Sequence, residues 1–549
     1  MKIFWLISVV CVTLVMGCRN GSENSVSHSK AKGKIGKKSE RDLSITKANA
    51  YSDLFLDSTT VEKFISDQKL KDSLANDLRR FYNLRNFQFA WFSSDGPNEQ
   101  TLSFRSLYDY DKDSGVSRKS LDNRLDDILT NDSLGEVSAD SKIAKTELLL
   151  TWRFINYLSQ KYHRQTVKDK AMIRMVPSKK SQVMVMADEI LTGKRNEIEV
   201  RASGYKTLKK ELDTYVKIAN AGGFPPVKRP DKVYKKGNKG QVVKSVKQRL
   251  ATEGLFPSND TSEVFNEDLE NVVKSSQARY GLTSDGKIGK GWVKELNVPV
   301  GKRIEQMLIN MERMKWMPEE PEGRLIMVNI PEFRLHVRDR KSEAFDMDIV
   351  VGKEGSNTII FSGTLNQIVF NPYWNVPRSI VTKEVIPGME SNDAYLADHQ
   401  MEITGEEDGL PVVRQLPGDL NALGRVKFLF PNTYNIYFHD TPEKELFKKT
   451  KRAYSHGCIR LSDPMKMANY LLEEDTDWNS TKIDSLLATD EEKYVKLKDP
   501  VPVIITYYTC WINDDGKIEF REDIYNRDKK MSRKLFAQPA GNPDKLVLK

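Results

Sequence analysis

Hydrophobic positions along this chain recur first at helical spacing and then at strand spacing, and the change of period divides it. In "VEKFISDQKLKDSLANDLRRFYNLRNFQFAWF", which starts at Val61, apolar residues return three and four positions apart and end in a cluster of aromatics, the pattern of an amphipathic helix. "SKIAKTELLLTWRFINYLSQKYH", ending at His163, has the same period. Residues 51–221 therefore read as helical. No catalytic spacing occurs there, so His163 and the Trp91-Phe92 pair read as core or packing residues.

The Pro- and Gly-rich stretch "GGFPPVKRPDK" from Gly222 to Lys232 is a natural boundary. Beyond it Val243, Val246 and Leu250 give a short helix one apolar face, and Phe265, Leu269, Val272, Val273 and Tyr280 repeat the device. "TSDGKIGKGWVKEL" adds a glycine-rich turn and a third short helix. These glycines match neither GxxxxGK[ST] nor GxGxxG, so they are turn residues and not a nucleotide loop.

From about Gly323 the period is that of strands. "GRLIMVNIPEFRLHVRD", "EAFDMDIVVGKEG", "TLNQIVFNPYWNVP" and "VKFLFPNTYNIYFHD" are β-rich, and "VPVIITYYTCW" supplies a final strand over Val501 to Trp511. Many short strands with Gly and Pro turns predict a β-sandwich-like or closed sheet. The irregular segment 377–423 is long for a loop, which predicts a lid, a binding loop or a disordered excursion. The fold class is multidomain α+β, in keeping with a length of 549 residues, which implies about three to four units.

Composition changes this picture mainly at the N-terminus. "MKIFWLISVVCVTLVMGC" has one lysine, then an apolar run too short to span a bilayer, and reads as an export signal over 1–17. Gly17-Cys18 resembles a bacterial lipoprotein cleavage site, with Cys18 as the lipidated first residue; an ordinary signal peptide cut nearby is the alternative. Residues 18–50 are rich in Ser, Lys and Gly and read as a flexible basic tether. From Arg19 to Ala50 there are eight Lys or Arg against three Asp or Glu, so most of the formal +9 sits in this tail. That distribution argues against nucleic acid as a partner. With Cys11 removed and Cys18 lipidated, only Cys458 and Cys510 remain, too few for a disulfide framework, although one bridge between them stays open.

The densest chemistry lies in "YFHDTPEKELFKKTKRAYSHGCIRLSDP", Tyr437 to Pro464, which holds two of the six histidines and one of the four cysteines. A cysteine nucleophile attacks as its thiolate, and a nearby imidazole is the common way to make one. His456 precedes Cys458 by two residues, and His439 ends a strand from which the chain can return beside the thiol. Gly457 allows close approach of a carbonyl, and amide N–H groups around Gly457 and Cys458 are candidates to hold its oxyanion. Two rivals stay open on the residues alone: a zinc site made of His439, His456 and Cys458, although HExxH and CxxC are absent, and a buried structural cluster.

His439, fifteen residues, then Ser455-His456-Gly457-Cys458 resembles the signature of the YkuD-type L,D-transpeptidases, H-x(14–17)-[ST]-H-G-C. Residues 237–296, with Gln277 to Leu282 leading into Asp285-Gly286 and Gly289, resemble the peptidoglycan-binding domain type 1. The order of parts is similar to that of the large YcbB-type members. The resemblance implies a helical scaffold at 51–221, a peptidoglycan-binding-like domain at 233–298, a catalytic domain at 320–511 with 377–423 as a capping insertion, and a C-terminal extension at 512–549.

The resemblance also implies roles. Cys458 is the nucleophile and His439 the base, oriented by the backbone carbonyl of Asp440. His456 and Gly457 shape the oxyanion site, and Ser455 and Arg460 serve substrate binding, Arg460 by holding a carboxylate or by bracing the loop. The implied reaction needs no metal or organic cofactor. Cys458 attacks a tetrapeptide stem before its terminal D-alanine, and the thioester is resolved by an amine of a second stem to cross-link third-position residues, by water in an L,D-carboxypeptidase, or by a protein lysine. An inactive wall-binding scaffold and a tethered zinc peptidase are the alternatives. Implied partners are peptidoglycan stem peptides and glycan, a membrane reached through the lipid on Cys18, and wall-synthesis proteins. The implied location is the periplasmic face of the cell envelope, with the outer membrane as the anchoring surface.

Overall fold

The computed structural model describes residues 40–111, 119–130, 142–195, 200, 202, 204–340 and 342–537. The expected signal, Cys18 and most of the tether lie outside the described residues, as does the end of the C-terminal extension.

The helical run from Val61 is two helices, Ser58–Asp67 and Asp72–Asn83. The first is capped by Asp57, whose side chain accepts from Thr59 N, satisfying an otherwise orphaned donor. Lys69, at φ 48°, turns the chain between them. Phe64, Leu78, Phe81 and Tyr82 meet the long helix Ile143–Lys161 in one core. Trp91 and Phe92 are fully buried, with Trp91 packed against Phe104, Phe154 and Trp316. Phe92–Ser93 (β1) pairs with Gly96–Pro97 (β2). His163 departs from its expected packing role: it is exposed, two residues past the end of its helix, where the apolar face has run out.

The three expected short helices are Gln241–Thr252, Glu267–Arg279 and Lys290–Leu296. The Gln…Asp-Gly stretch has a mechanical reason. The Gln277 amide donates to Asp285 Oδ1 (2.8 Å) and to Lys287 O (3.0 Å), and its oxygen accepts from Gly286 N (2.9 Å). One side chain thus closes the turn, and Gly286 at φ +70° supplies the left-handed residue it needs.

A further helix, Val300–Met314, follows at once. It buries Ile304, Met307, Leu308 and Met311 in a core shared with the three short helices, the helix Tyr205–Asn220 and the C-terminal segment. Sequence reading did not find it.

The strands after residue 323 form a mixed sheet: Leu325–Asn329 (β3), Arg334–Asp339 (β4), Ser342–Gly352 (β5) and Ser362–Phe370 (β6), then, beyond the insertion, Val426–Leu429 (β10), Phe438–His439 (β11), Ala453–Ser455 (β12), Ile459–Leu461 (β13) and Lys493–Thr506 (β14). The order is β12-β5-β13-β11-β10-β6-β14-β3-β4, and β4 pairs back onto β5. The sheet is therefore closed, one of the two forms the strand pattern allowed. Ile326, Val328, Leu335, Val337, Val503 and Ile505 alternate into its core. The expected last strand is two elements. β14 ends at Thr506, and Cys510–Ile512 (β15) turns back to pair with Ile518–Phe520 (β16). Cys510 belongs to the core around Val300–Met314, and both it and Cys458 are free thiols.

The insertion is not irregular. Trp374–Asn375 (β7), Met401–Glu407 (β8) and Leu410–Gln415 (β9) form a three-stranded antiparallel sheet. A helical stretch over 378–391 covers it, and Val376, Ile380, Val381, Val385 and Val413 make a small core of their own. Val376, Ile380, Val381 and Val385 recur at helical spacing within ten residues, and Val413 comes to them from β9.

Candidate active site

Strand register brings the two halves of the motif together. β11 and β13 run parallel, with Phe438 opposite Ile459 and His439 opposite Arg460, and Ile459 N donates to Tyr437 O (3.2 Å). Side chains two apart share a face, so Tyr437 and His439 on one strand and Cys458 and Arg460 on the next face the same side. The Tyr437 ring lies edge-on to His439 at 5.7 Å.

His439 is 4 % exposed, and its Nδ1 lies 2.5 Å from the carbonyl oxygen of Asp440. A carbonyl only accepts, so Nδ1 carries the proton and Nε2 presents a lone pair. The Asp440 side chain holds its own backbone in place by accepting from Arg425 N (2.9 Å) and Lys444 Nζ (2.5 Å). Gly424, at φ +59°, makes room for it: a Cβ there would overlap the Asp440 carboxylate. Burial, with the nearby charges of Arg460 and Lys444, pushes the imidazole pKa down to about 3 against the opposing Asp440 carbonyl.

Cys458 is half-buried, with Sγ 3.6 Å from Asn435 O. Burial raises its thiol to about 11, although hydrogen bonds from Tyr437 and the charge of Arg460 work the other way. The resting pair is thus a neutral thiol and a neutral imidazole. A thiolate forms only when a base takes the proton during attack.

The loop before Cys458 is held by its own side chains. Ser455 Oγ accepts from Gly457 N (3.1 Å) and donates to Cys458 O (2.6 Å). Gly457, buried at φ +121°, occupies backbone space that other residues rarely adopt. Its N–H is spent inside the loop, which narrows the expected set of oxyanion donors. The Cys458 N–H donates to no group among the described residues.

His456 is exposed and lies apart from the His439 pair. Its Nε2 is 3.3 Å from Glu384 of the insertion and 3.4 Å from Lys353 Nζ. Partial burial and Lys353 lower its pKa, with Glu384 opposing. Arg460 pairs with Glu443, which suits a brace better than an open carboxylate receptor. His439, His456 and Cys458 do not converge as metal ligands. The group near enough to share an ion, among the described residues, is His336, Glu343 and Asp346, and there His336 already lies 3.2 Å from Glu332 and 3.4 Å from Glu343.

Sequence reading missed Asn435, Lys353, Glu384 and Thr358, the last of which donates to Gly457 O (2.8 Å). They reach the loop from three separate segments, Lys353 and Thr358 sharing the turn after β5, and nothing in these neighbourhoods announces the contacts.

Residues 323–503 match the family model of the L,D-transpeptidase catalytic domain, YkuD. Residues 76–212 match one described as "Scaffold domain", and 239–296 one described as "Putative peptidoglycan binding domain". A curated Haemophilus influenzae protein named "Putative L,D-transpeptidase" is 29 % identical over 254 residues, covering 43 % of this chain and 51 % of the relative. The chain thus spans about half the length of that relative. Similar solved structures include an L,D-transpeptidase from Mycobacterium smegmatis (14 % identity, 34 % of this chain and 58 % of the other, TM-score 0.18). Another is from Stackebrandtia nassauensis (12 % identity, 51 % and 96 %, TM-score 0.21). These overlaps are low and carry no argument.

Proposed function

Because the chain carries a YkuD-family L,D-transpeptidase catalytic domain and a peptidoglycan-binding domain, we propose that it is a cysteine acyltransferase that cross-links third-position residues of peptidoglycan stems. As Cys458 Sγ attacks the amide carbon before the terminal D-alanine, His439 Nε2 takes the thiol proton. The tetrahedral intermediate collapses to a thioester, and the proton goes to the leaving amine of D-alanine. The amine of a second stem then attacks the thioester. His439 takes its proton and returns it to the thiolate, so the free enzyme is restored with one amide broken and one made.

The observation that carries this reading is the hydrogen bond from His439 Nδ1 to Asp440 O. It fixes the tautomer a base requires, on the strand next to the thiol. His456 and Gly457 shape the loop, Ser455 holds it, and Arg460 braces it. Cys18 is the proposed lipid attachment, placing the enzyme at the periplasmic face of the envelope, with the outer membrane as the anchoring surface. No helix among the described residues is long and apolar enough to cross a membrane. The binding domain would hold glycan or stems, and wall-synthesis proteins are the partners such a location offers.

The test is intact-protein mass spectrometry with a purified disaccharide tetrapeptide and chelator, alongside Cys458→Ser. A thioester adduct, D-alanine release and cross-linked dimer on the parent protein, all lost in the variant, are expected. D-alanine release without dimer would assign the L,D-carboxypeptidase reaction instead. No adduct on folded, reduced protein would make the chain a wall-binding scaffold.

A further inference from the structure

The Gly457–Cys458 peptide is aimed from behind. Thr358, 1 % exposed, donates its hydroxyl to Gly457 O (2.8 Å) and accepts from Gly352 N (3.0 Å), so both capacities of one buried hydroxyl are used. Tyr525, also buried, donates to Gly352 O (2.5 Å) and accepts from Thr358 N (3.3 Å). The two side chains therefore clasp the end of β5 and the catalytic loop together. A Cβ on Gly352 would collide with the Ser356 carbonyl, so this close approach requires glycine.

Tyr525 is itself fixed. Its N–H donates to Tyr507 OH (2.9 Å), which donates to Asp523 Oδ1 (2.8 Å), and its ring stacks on Tyr507 at 5.7 Å. It lies beyond the residues that match the catalytic family, 323–503.

In a trans peptide the C=O and N–H point in opposite directions. With Gly457 O pinned toward buried Thr358, the Cys458 N–H must face the other way. Ser455 absorbs the neighbouring polar groups, Gly457 N–H and Cys458 O, and leaves this N–H without a partner among the described residues. A preorganised donor of this kind acts on charge that appears only in the transition state.

We propose that Thr358 and Tyr525 are positioning residues for acyl transfer, fixing the Gly457–Cys458 peptide so that the Cys458 N–H meets the oxygen of the tetrahedral intermediate. The inference rests on Cys458 being the acylated nucleophile. It assigns part of the active-site geometry to the C-terminal segment, through a side chain that never meets substrate.

Two reactions of the same thiol separate this role from a structural one. Acylation by the β-lactam imipenem passes through an oxyanion, whereas alkylation by iodoacetamide is a displacement without one. For full-length protein with a native melting profile, Thr358→Val should slow acylation about tenfold or more, within the cost of a lost oxyanion donor, at an unchanged half-saturating imipenem concentration and with an unchanged pH profile. Cys458 alkylation should match the parent, and Thr358→Ser, which keeps the hydroxyl, should restore acylation to within about threefold. Tyr525→Phe should slow acylation in the same selective way and carries the test if Thr358→Val does not fold. Unchanged acylation in both variants would overturn the assignment, as would equal losses of acylation and alkylation, or a Ser variant as slow as Val. A parent protein that is alkylated but never acylated would instead remove Cys458 acylation itself, and the inference with it.

Discussion

At the scale of single residues, the proposed catalysis depends on two groups held away from their ordinary ionisation. His439 is pushed down to about 3 and Cys458 up to about 11, both chiefly by burial. Between those values the pair keeps one composition, neutral imidazole with neutral thiol. Acylation by imipenem should therefore change little from about pH 5 to pH 9, because base and proton donor are both in their working forms. Alkylation by iodoacetamide, which needs free thiolate, should rise about tenfold per pH unit over the same range and beyond, where an ordinary thiol levels off above about 8.5. A level alkylation rate below pH 8, read by peptide mass spectrometry at Cys458, would show a resting thiolate–imidazolium pair instead. The thiol and both histidines were legible in the sequence because a single short segment carries them. Thr358 and Tyr525 were not, because their contacts with Gly457 and Gly352 close loops of 99 and 173 residues that no local pattern encodes.

At the scale of elements, alternation along the strands revealed the β region, since the closed sheet buries one face of each strand. It did not reveal the insertion, whose helical spacing runs only from Val376 to Val385, nor the helix Val300–Met314, which comes directly after a domain that already looked complete. The insertion's core has only five buried apolar residues among the described residues, so it depends heavily on each. Val381→Asp, placing a charge at a site 2 % exposed, should melt this element alone. Hydrogen exchange should lose protection over 376–415 and keep it over β3 to β5. Turnover of stem peptide should fall while Cys458 alkylation persists, because Glu384 brings the insertion to the loop at His456 but touches neither His439 nor Cys458. Loss of protection throughout the sheet would mean the insertion is a structural part of the catalytic domain.

At the scale of the whole molecule, Glu99 ties the scaffold helices to the rest. It is buried and pairs with Arg313 of the helix Val300–Met314 (3.0 Å) and with Arg527 of the C-terminal helix Arg527–Leu535 (2.9 Å). Burial alone would raise its pKa, but the charges of Arg527 and Arg313 outweigh that and leave it below the usual carboxylate value. A lowered folded-state pKa contributes stability that is present above the unfolded value, near 4.5, and is lost as pH falls below it. Glu99→Gln should therefore cost about 3 kcal/mol at pH 7, the price of breaking a buried pair, because Arg527 loses its carboxylate while Arg313 keeps Asp528 (2.5 Å), and the difference from the parent should shrink toward pH 3 in urea unfolding. An equal difference at both pH values would mean that the carboxylate's charge is not what matters.

The core that joins the three short helices to Val300–Met314 and to the β15–β16 hairpin has a mechanical consequence. A binding module on a loose linker sweeps out a volume and serves whatever lies within its radius. This one is fused: Val243, Leu250 and Trp292 share their packing with Met307, Cys510 and Phe520, and Arg521 donates to Arg279 O (3.0 Å) across the joint. If the module grips the wall as proposed, the thiol stands at one distance and one angle from the grip. Under the proposed function the molecule would act as a caliper, reaching stems according to where along a strand they project.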